Sequence, residues 1–399
     1  MNPSTRLTER FPVYFFLLYF LTAAFNAVYG TYLPVYLDGL GFTSTAIGSL
    51  LAVSPFVRLF AQPIWGIAGD RTKSTNRLYR WVLVGSGVVV LFYPLTISYA
   101  LLFVIVIVFT FFNTPLFMMQ DVIALQAIEP TRFKYGTIRM GATIGFSIWV
   151  LVAGRVADWN ITYIFPLSAL IAGLAILVSY KLPAVRGHQT PGNHVSPLLL
   201  LKNRPLILLV SFCFFLMLGI GYYFIFFAIY YQNLGADNAL IGLSFTIAAV
   251  VEIPFLLFAE RIIGRLGIKR TLLLAGFVMG IRWLLLGLFT DLTGILVANV
   301  LHGFTLIVIF YCMAVFINRE VPKELKSSGQ SFFGIFGVSI PQILAGVLGG
   351  LANDAFGMQR VFLVVGIFTL ASVGVFAFLF YWLWRREPKI VPTTADLPL

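Results

Sequence analysis

Six ionisable residues lie inside stretches of this chain that are otherwise apolar enough to dissolve in lipid. They comprise three arginines, two acids and one histidine: Arg58, Asp121, Arg139, Glu252, Arg282 and His302. A charged side chain is costly at the centre of a bilayer, so such residues normally face a water-filled cavity or a charged partner. Together they predict a polar route across a membrane, and hence a transport protein.

Asp121 and Arg139 have the chemistry needed to capture a solute. The guanidinium offers a fixed fork of donors and the carboxylate offers acceptors, so the pair can bind hydroxyl or carboxylate groups. A purely structural ion pair between two helices is the alternative. Arg58 is a candidate substrate anchor or gate residue, and Asn26 is a candidate hydrogen-bonding contact. The excess of arginines over acids favours an anionic or polyhydroxylated solute.

Glu252 is the predicted proton carrier, because a carboxyl group among apolar side chains can bind and release a proton near neutral pH. Arg282 would control that protonation by moving towards the carboxylate or away from it. His302, whose side chain ordinarily titrates near neutral pH, would relay protons or orient Glu252. The alternatives are a permanent ion pair of Glu252 with Arg282 or Arg58, and a histidine that is only satisfied by hydrogen bonds.

The composition determines which elements must position these residues. The 399 residues are 60% hydrophobic and only 11% charged, whereas soluble proteins carry roughly a quarter charged residues. A helix that crosses the hydrocarbon core needs roughly 20 apolar residues. Apolar runs of this length predict twelve membrane spans, at 11–35, 44–68, 80–97, 99–127, 136–157, 161–181, 206–231, 239–259, 270–289, 292–317, 327–352 and 359–384.

The formal net charge of +12 is distributed as a membrane orientation signal. Basic residues concentrate in alternate connections, such as 71–80 and 261–270, while the opposite connections hold only Arg155 and Arg360. Connections rich in Lys and Arg face the cytoplasm. Both termini are therefore predicted to be cytoplasmic, and the basic charge requires no nucleic-acid partner.

The chain divides at residues 182–205, which read as a cytoplasmic linker. It separates an N-terminal six-helix bundle, 1–181, from a C-terminal one, 206–387, and a short cytoplasmic tail follows at 388–399. The two halves contain an internal repeat: Gly41 and Gly48 match Gly235 and Gly242, Arg58 matches Glu252, and GRVAD (154–158) matches GLAND (350–354). Such repeats build transporters whose halves rock about a central site. We therefore expect Arg58 and Glu252 to approach each other from opposite sides in at least one state.

The segment GIAGDR (66–71), followed by Lys73 and Arg77, resembles the cytoplasmic loop signature of the major facilitator superfamily. The resemblance extends over the whole chain. It implies an all-α membrane protein with twelve transmembrane helices in two pseudo-symmetric six-helix bundles. It also implies that Gly66, Asp70 and Arg71 form part of a cytoplasmic gate.

A narrower resemblance concerns the lactose permease, phenylpropionate permease and nucleoside–proton symporter group. It rests on YGTIRMGATIGF (135–146), LHGFT (301–305) and VPKELKSSGQ (321–330). It implies that Asp121 and Arg139 bind substrate, and that Glu252, Arg282 and His302 couple transport to protons. Phe146 stands where the lactose permease family has a tryptophan that stacks on sugar, and Thr305 where it has a proton-accepting glutamate. Galactoside specificity therefore does not carry over.

These observations predict proton-coupled symport of a small aromatic carboxylate, nucleoside or sugar, with the proton gradient as the energy source and no cofactor. A proton-driven exporter of drugs or sugars is the alternative. A membrane enzyme or receptor is disfavoured, because the chain has no nucleophile elbow, phosphate-binding loop or zinc-binding HExxH pair. The expected location is the plasma or inner membrane, and the expected state is a monomer.

Overall fold

The computed structural model describes residues 12–128, 135–183, 185, 197–322 and 325–384, and every regular element within these ranges is helical. Short 3₁₀ or π segments connect several of the α-helices. The α-helices are α1 Val13–Gly39, α2 Ser44–Arg71, α3 Thr75–Val89, α4 Tyr99–Asn113, α5 Pro115–Ile128, α6 Tyr135–Trp159, α7 Ile164–Ser179, α8 Arg204–Asn233, α9 Asn238–Val250, α10 Glu252–Leu288, α11 Leu292–Ala298, α12 Leu306–Glu320, α13 Lys326–Phe332, α14 Ile340–Phe356 and α15 Met358–Trp384. Half of the predicted linker, namely 184 and 186–196, lies outside the described residues, as does the whole predicted tail.

Among the described residues, eleven helical segments are long and apolar enough to cross a membrane. Ten of them each contain the middle of one predicted span. The remaining segment, 238–288, has 51 residues, far more than the roughly 20 that one crossing needs. It bends sharply at Gly267, whose φ of 75° and ψ of 160° are not helical. The predicted spans eight and nine both lie in this bent segment, so the count of twelve spans stays a prediction.

Large apolar side chains cover the outside of the molecule. Leu257, Phe378 and Leu177 are 74%, 65% and 64% exposed. A soluble protein seldom exposes large continuous apolar patches to water. This surface is suited to contact with lipid chains, in agreement with the membrane prediction.

The repeat seen in the sequence is present in the backbone at two helix ends. Gly41 follows α1 with a φ of 83°, and Gly235 follows α8 with a φ of 100°. Glycine adopts this conformation without the steric penalty of a Cβ atom. Each turn leads into a helix with a side-chain cap: Thr43 accepts from the Ala46 N–H before α2, and Asp237 from the Leu240 N–H before α9. The two halves thus enter their second helices in the same way.

Two repeat-related aspartates join the halves of the chain at this end of the molecule. Asp354, in the last turn of α14, accepts hydrogen bonds from the backbone N–H groups of Ser44 and Thr45 at the start of α2, at 3.0 and 2.9 Å. Asp158, near the end of α6, accepts from the Asn238 N–H at the start of α9, at 2.8 Å. The first N–H groups of a helix have no partner within it and attract negative charge. We call this region the closed end.

Glycines extend the contact between the halves away from the closed end. A Cβ atom added at Gly48 of α2 would overlap the carbonyl oxygen of Gly346 in α14. A Cβ atom at Gly242 of α9 would likewise overlap the carbonyl of Val150 in α6. Small residues allow membrane helices to approach to backbone contact. The pairs α2–α14 and α6–α9 therefore form two tight, repeat-related seams.

Candidate functional site

One polar cluster joins α1, α5 and α6 around the Asp121 carboxylate. Tyr19 and Tyr135 both donate hydrogen bonds to Asp121 Oδ1, at 2.5 and 2.7 Å. Arg139 Nη1 donates to the Tyr135 hydroxyl at 3.0 Å and lies 3.7 Å from Asp121 Oδ2. The side chains of Arg139 and Asp121 are 56% and 29% exposed. The predicted pair is thus brought together, and its guanidinium still presents free surface to a solute.

Asn26 and Phe146 are also predicted to contact substrate. Neither has a recorded contact with the Asp121–Arg139 pair among the described residues. The Asn26 amide donates to the carbonyl oxygen of Thr22 within α1, at 2.9 Å. Phe146 of α6 is partly buried against the apolar core. The contact of both residues with substrate stays a prediction.

A second polar cluster lies in the other half of the chain, where two membrane segments are interrupted. The helix α9 ends before Val251 and α10 begins at Glu252, while a 3₁₀ segment, Asn299–Phe304, separates α11 from α12. Gly303 lies directly against the carbonyl of Val251, since an added Cβ atom would overlap it. Breaks in membrane helices are tolerated where protein or a cavity satisfies the freed backbone groups. The two interruptions meet, and they place ionisable side chains beside each other.

Glu252 and His302 form the ionisable contact at this junction. The distance from His302 Nε2 to Glu252 Oε1 is 3.5 Å, and the two side chains are 5% and 23% exposed. The other ring nitrogen of His302, Nδ1, is buried without a hydrogen-bond partner. The carboxylate thus sits between a buried imidazole and accessible space, which is an arrangement suited to taking up and releasing a proton.

Arg282 is fully buried behind this contact. Its Nη2 donates to Asn299 Oδ1 at 2.6 Å, and Asn299 in turn donates to the hydroxyl of Ser244. The guanidinium carbon lies 4.1 Å from the ring centre of Tyr223 and 4.7 Å from that of Trp283. Aromatic faces attract cations, which offsets part of the cost of burying the charge. The predicted control of Glu252 protonation by Arg282 stays a prediction.

A cavity of about 230 Å³ lies between the two halves of the chain. Side chains of α1, α2, α8 and α14 line it, and the most polar of these are Tyr29, Ser54, Arg58 and Gln342. Arg58 is exposed to this space. Among the described residues, no ion pair or hydrogen bond joins Arg58 to Glu252. Glu252 instead contacts His302. The expected approach of Arg58 to Glu252 is therefore absent from this state.

The predicted cytoplasmic gate lies at the far end of α2 from the closed end. Gly66 is partly exposed and Arg71 is exposed in the last turn of the helix. The backbone of Asp70 belongs to the same helix, while its side chain lies outside the described residues. The gate role of these three residues stays a prediction.

Sequence reasoning missed the hydrogen-bonding partners of the charged residues. Tyr135 precedes Arg139 by one helical turn, a spacing that places both on one face and could have revealed it. Asn299 precedes His302 by three residues and offered a similar signal. Tyr19 and Tyr223 come from distant helices, and nothing in their local sequence indicates their contacts.

Comparison with known proteins gives a consistent result for the whole chain. A model of the MFS_1 like family matches residues 13–364. The maltose permease of Geobacillus stearothermophilus is 28% identical over 368 residues, which cover 91% of this chain and 92% of that protein. The probable 3-phenylpropionic acid transporter of Escherichia coli (strain K12) is 25% identical over 286 residues, with 69% and 74% coverage.

Solved structures show the same overall fold. The chain superposes on the crystal structure of a mutant of the nucleoside transporter NupG with a TM-score of 0.86. The match covers 92% of this chain and 99% of the other at 16% sequence identity. At this level of identity the likeness concerns the fold alone.

Proposed function

The chain belongs to the MFS_1 like family of membrane transporters, and on this premise we propose that it is a proton-coupled symporter of a small organic solute. The predicted resemblance to permeases is confirmed, and so is the prediction that the chain is a multi-pass membrane transporter and not an enzyme. The solute classes supported by the names of its relatives and structural neighbours are sugars, aromatic carboxylates and nucleosides.

The observation that carries the proposal is the contact between Glu252 and His302 at two interrupted helices. A carboxylate that is 23% exposed and a histidine that is 5% exposed lie 3.5 Å apart. Ionisable residues are retained inside membranes mainly where they serve transport or proton transfer. We assign the coupling proton to Glu252, with His302 as its partner and Arg282 as the fixed charge that favours proton release.

Transport would proceed by alternating access between two six-helix bundles. The bend at Gly267 would separate spans eight and nine, which gives twelve crossings. By the distribution of basic residues, the closed end faces outward and both termini are cytoplasmic. The described state would then open inward, with the Asp121–Arg139 pair offering its exposed guanidinium to the solute. We propose a monomer in the plasma or inner membrane that uses the proton gradient as its energy source.

Uptake into proteoliposomes under an imposed inward proton gradient tests this function. The panel contains labelled sugars, nucleosides and aromatic carboxylates, with wild type compared to Glu252→Gln. The matched control is Glu260→Gln, an exposed glutamate two turns further along α10. We expect the wild type and the control to accumulate a solute, and Glu252→Gln to exchange it without accumulating it. Gradient-driven loss of preloaded solute, with no accumulation of any compound, would instead establish the exporter alternative.

A further inference from the structure

We propose that the transported solute carries a carboxylate, and that Arg58 is the residue that binds it. This inference rests on the proposed function, because it names the solute class of the same transport route. It starts from a contrast among the three arginines that lie inside the membrane segments. Two of them have recorded polar partners in the protein, and the third, which has none among the described residues, lines a cavity between the halves of the chain.

The other two arginines have recorded partners within the protein. Arg139 lies 3.7 Å from the Asp121 carboxylate and donates to Tyr135. Arg282 donates to Asn299 and is stacked against aromatic rings. Within the described part of the chain, no hydrogen bond or ion pair is recorded for Arg58. An arginine at this depth is costly unless water or an anion accompanies it. Arg282 Nε and Nη1 also lack hydrogen-bond partners, but they are buried. Arg58 is therefore the one of the three arginines that combines the absence of a recorded polar partner with exposure at a cavity.

Arg58 is aimed into the cavity by the geometry of α2. Ser54 and Pro55 come three and four residues after Leu51, and Arg58 comes four and three residues after them; all four line the cavity. Residues at these spacings share one face of a helix. The Arg58 side chain is exposed and lines this space. The same cavity is bordered by α8 and α14 of the other half, so a bound solute would contact both halves.

The other polar groups of the cavity are matched to an anion. Ser54 Oγ accepts a hydrogen bond from Thr110 at 3.0 Å, which leaves its own hydroxyl hydrogen free to donate. The Tyr29 hydroxyl and the Gln342 amide also line the space and can donate hydrogen bonds. No residue that lines the cavity is acidic. The site therefore combines one guanidinium with several donors and no competing carboxylate.

The rest of the cavity suits the carbon skeleton of an organic acid. The aromatic rings of Tyr29, Tyr93 and Phe224 form part of its wall. Its volume of about 230 Å³ corresponds to roughly eight water molecules at about 30 Å³ each. This space fits a ring with a short acidic arm. A guanidinium binds carboxylate through two parallel hydrogen bonds, which is a contact that a neutral hydroxyl cannot reproduce.

Charge balance gives the proposal a second consequence. One proton and one monoanion that enter together carry no net charge. Uptake of such a solute would follow the pH gradient and the solute gradient, and the membrane potential would have no effect on its extent. Symport of a neutral sugar with one proton would carry one positive charge inward and would respond to the potential.

Binding to the purified full-length protein tests the anion site without requiring transport. The probes are two matched pairs, 3-phenylpropionate with 3-phenylpropanamide and maltobionate with maltose, measured by calorimetry. We expect the acid of at least one pair to bind about tenfold or more tightly than its neutral partner. Arg58→Gln should reduce this ratio to near one, and Arg58→Lys should retain part of it. Arg360→Gln, which removes an exposed arginine outside the cavity, should leave the ratio unchanged.

The outcomes separate this inference from the proposed function. Equal affinity for acid and neutral partners, no binding of either acid at millimolar concentration, or a preserved ratio in a folded Arg58→Gln protein would each overturn the anion site. Tighter binding of an acid followed by uptake that ignores an imposed potassium–valinomycin potential would support both proposals. Tighter binding without any proton-driven accumulation would support the anion site and reject symport.

Discussion

The aspartate caps at the closed end lead to a quantitative prediction about the opening of the molecule. Asp354 and Asp158 bind helix N-termini of the opposite half, so their hydrogen bonds exist only while this end is closed. Replacing a capping aspartate by alanine typically costs about 1 kcal/mol, within a range of roughly 0.5–2. Because the bonds are absent from the open state, this loss acts fully on the equilibrium between the two states.

For the double variant Asp158→Ala/Asp354→Ala we expect a combined shift of about 2–3 kcal/mol towards opening. Since about 1.4 kcal/mol is a factor of ten, the open-to-closed ratio should rise roughly 30- to 150-fold. Asparagine at both positions should act in the same direction with a smaller effect, because it retains an acceptor oxygen and loses only the charge.

Electron–electron distance measurements between two spin labels can detect this change. Ile97 and Leu288, which are 77% and 63% exposed, lie at this end in opposite halves and can be replaced by cysteine. The native Cys213 and Cys312 are buried, and a protein without the added cysteines controls for their labelling. We expect the distance distribution of the double variant to gain a longer component.

The matched control is Asp291→Ala. Asp291 also caps a helix at this end, but it accepts from Gly294 within its own half at 2.6 Å. It should lower stability without changing the distance distribution. An unchanged distribution in the double variant, or an equal change in the Asp291 control, would refute the role of the caps in closure.

Three further predictions concern stability, measured as thermal unfolding of the purified protein in one detergent. Asn299→Ala should destabilise by about 1–3 kcal/mol, because it removes the acceptor of the buried Arg282 guanidinium; an unfolding temperature equal to that of wild type would contradict this. Trp65→Phe should lower the free energy of unfolding by about 1–3 kcal/mol. Trp65 Nε1 donates at 2.7 Å to the Phe111 carbonyl, which has no donor within the helix because Pro115 lacks an N–H group. Trp159→Phe, at a position 82% exposed, is the control and should be neutral. Gly267→Ala should cost about 1–2 kcal/mol through its positive φ, although the space around an added Cβ atom is open. Gly264→Ala, in open space without a positive φ, should be neutral or stabilising, and the same loss at both positions would reject the conformational explanation.

The helices of this fold were predictable from the sequence pattern within each helix. Long apolar runs located ten of the described membrane segments, and the matching Gly41 and Gly235 revealed the repeated turns. The basic stretch 261–270 predicts a connection between two spans, and the backbone is indeed non-helical at Gly267. A glycine within a basic stretch does not show that the helix continues on both sides of it. The local sequence pattern therefore predicted the helices, and it did not predict how consecutive helices are joined.

The candidate site was predictable in its charged members and only in part in their pairing. Charged side chains are costly in contact with lipid, so each one within an apolar segment was identified from the sequence. Asp121 and Arg139 form the predicted pair in the structure. Glu252, however, pairs with His302 and not with Arg58, because the interruptions of two membrane segments meet at Val251 and Gly303. Pairings of this kind depend on how helices break and cross, which requires the three-dimensional packing.

The most direct test of the account is whether solute entry carries protons through Glu252. De-energised proteoliposomes in a weakly buffered medium receive the solute identified by uptake, and a pH electrode follows the medium. We predict that wild type and Glu260→Gln alkalinise the medium on addition of the solute, while Glu252→Gln takes up solute down its gradient with no pH change. Solute entry into wild type without any alkalinisation, or an undiminished pH change in Glu252→Gln, would contradict the central claim.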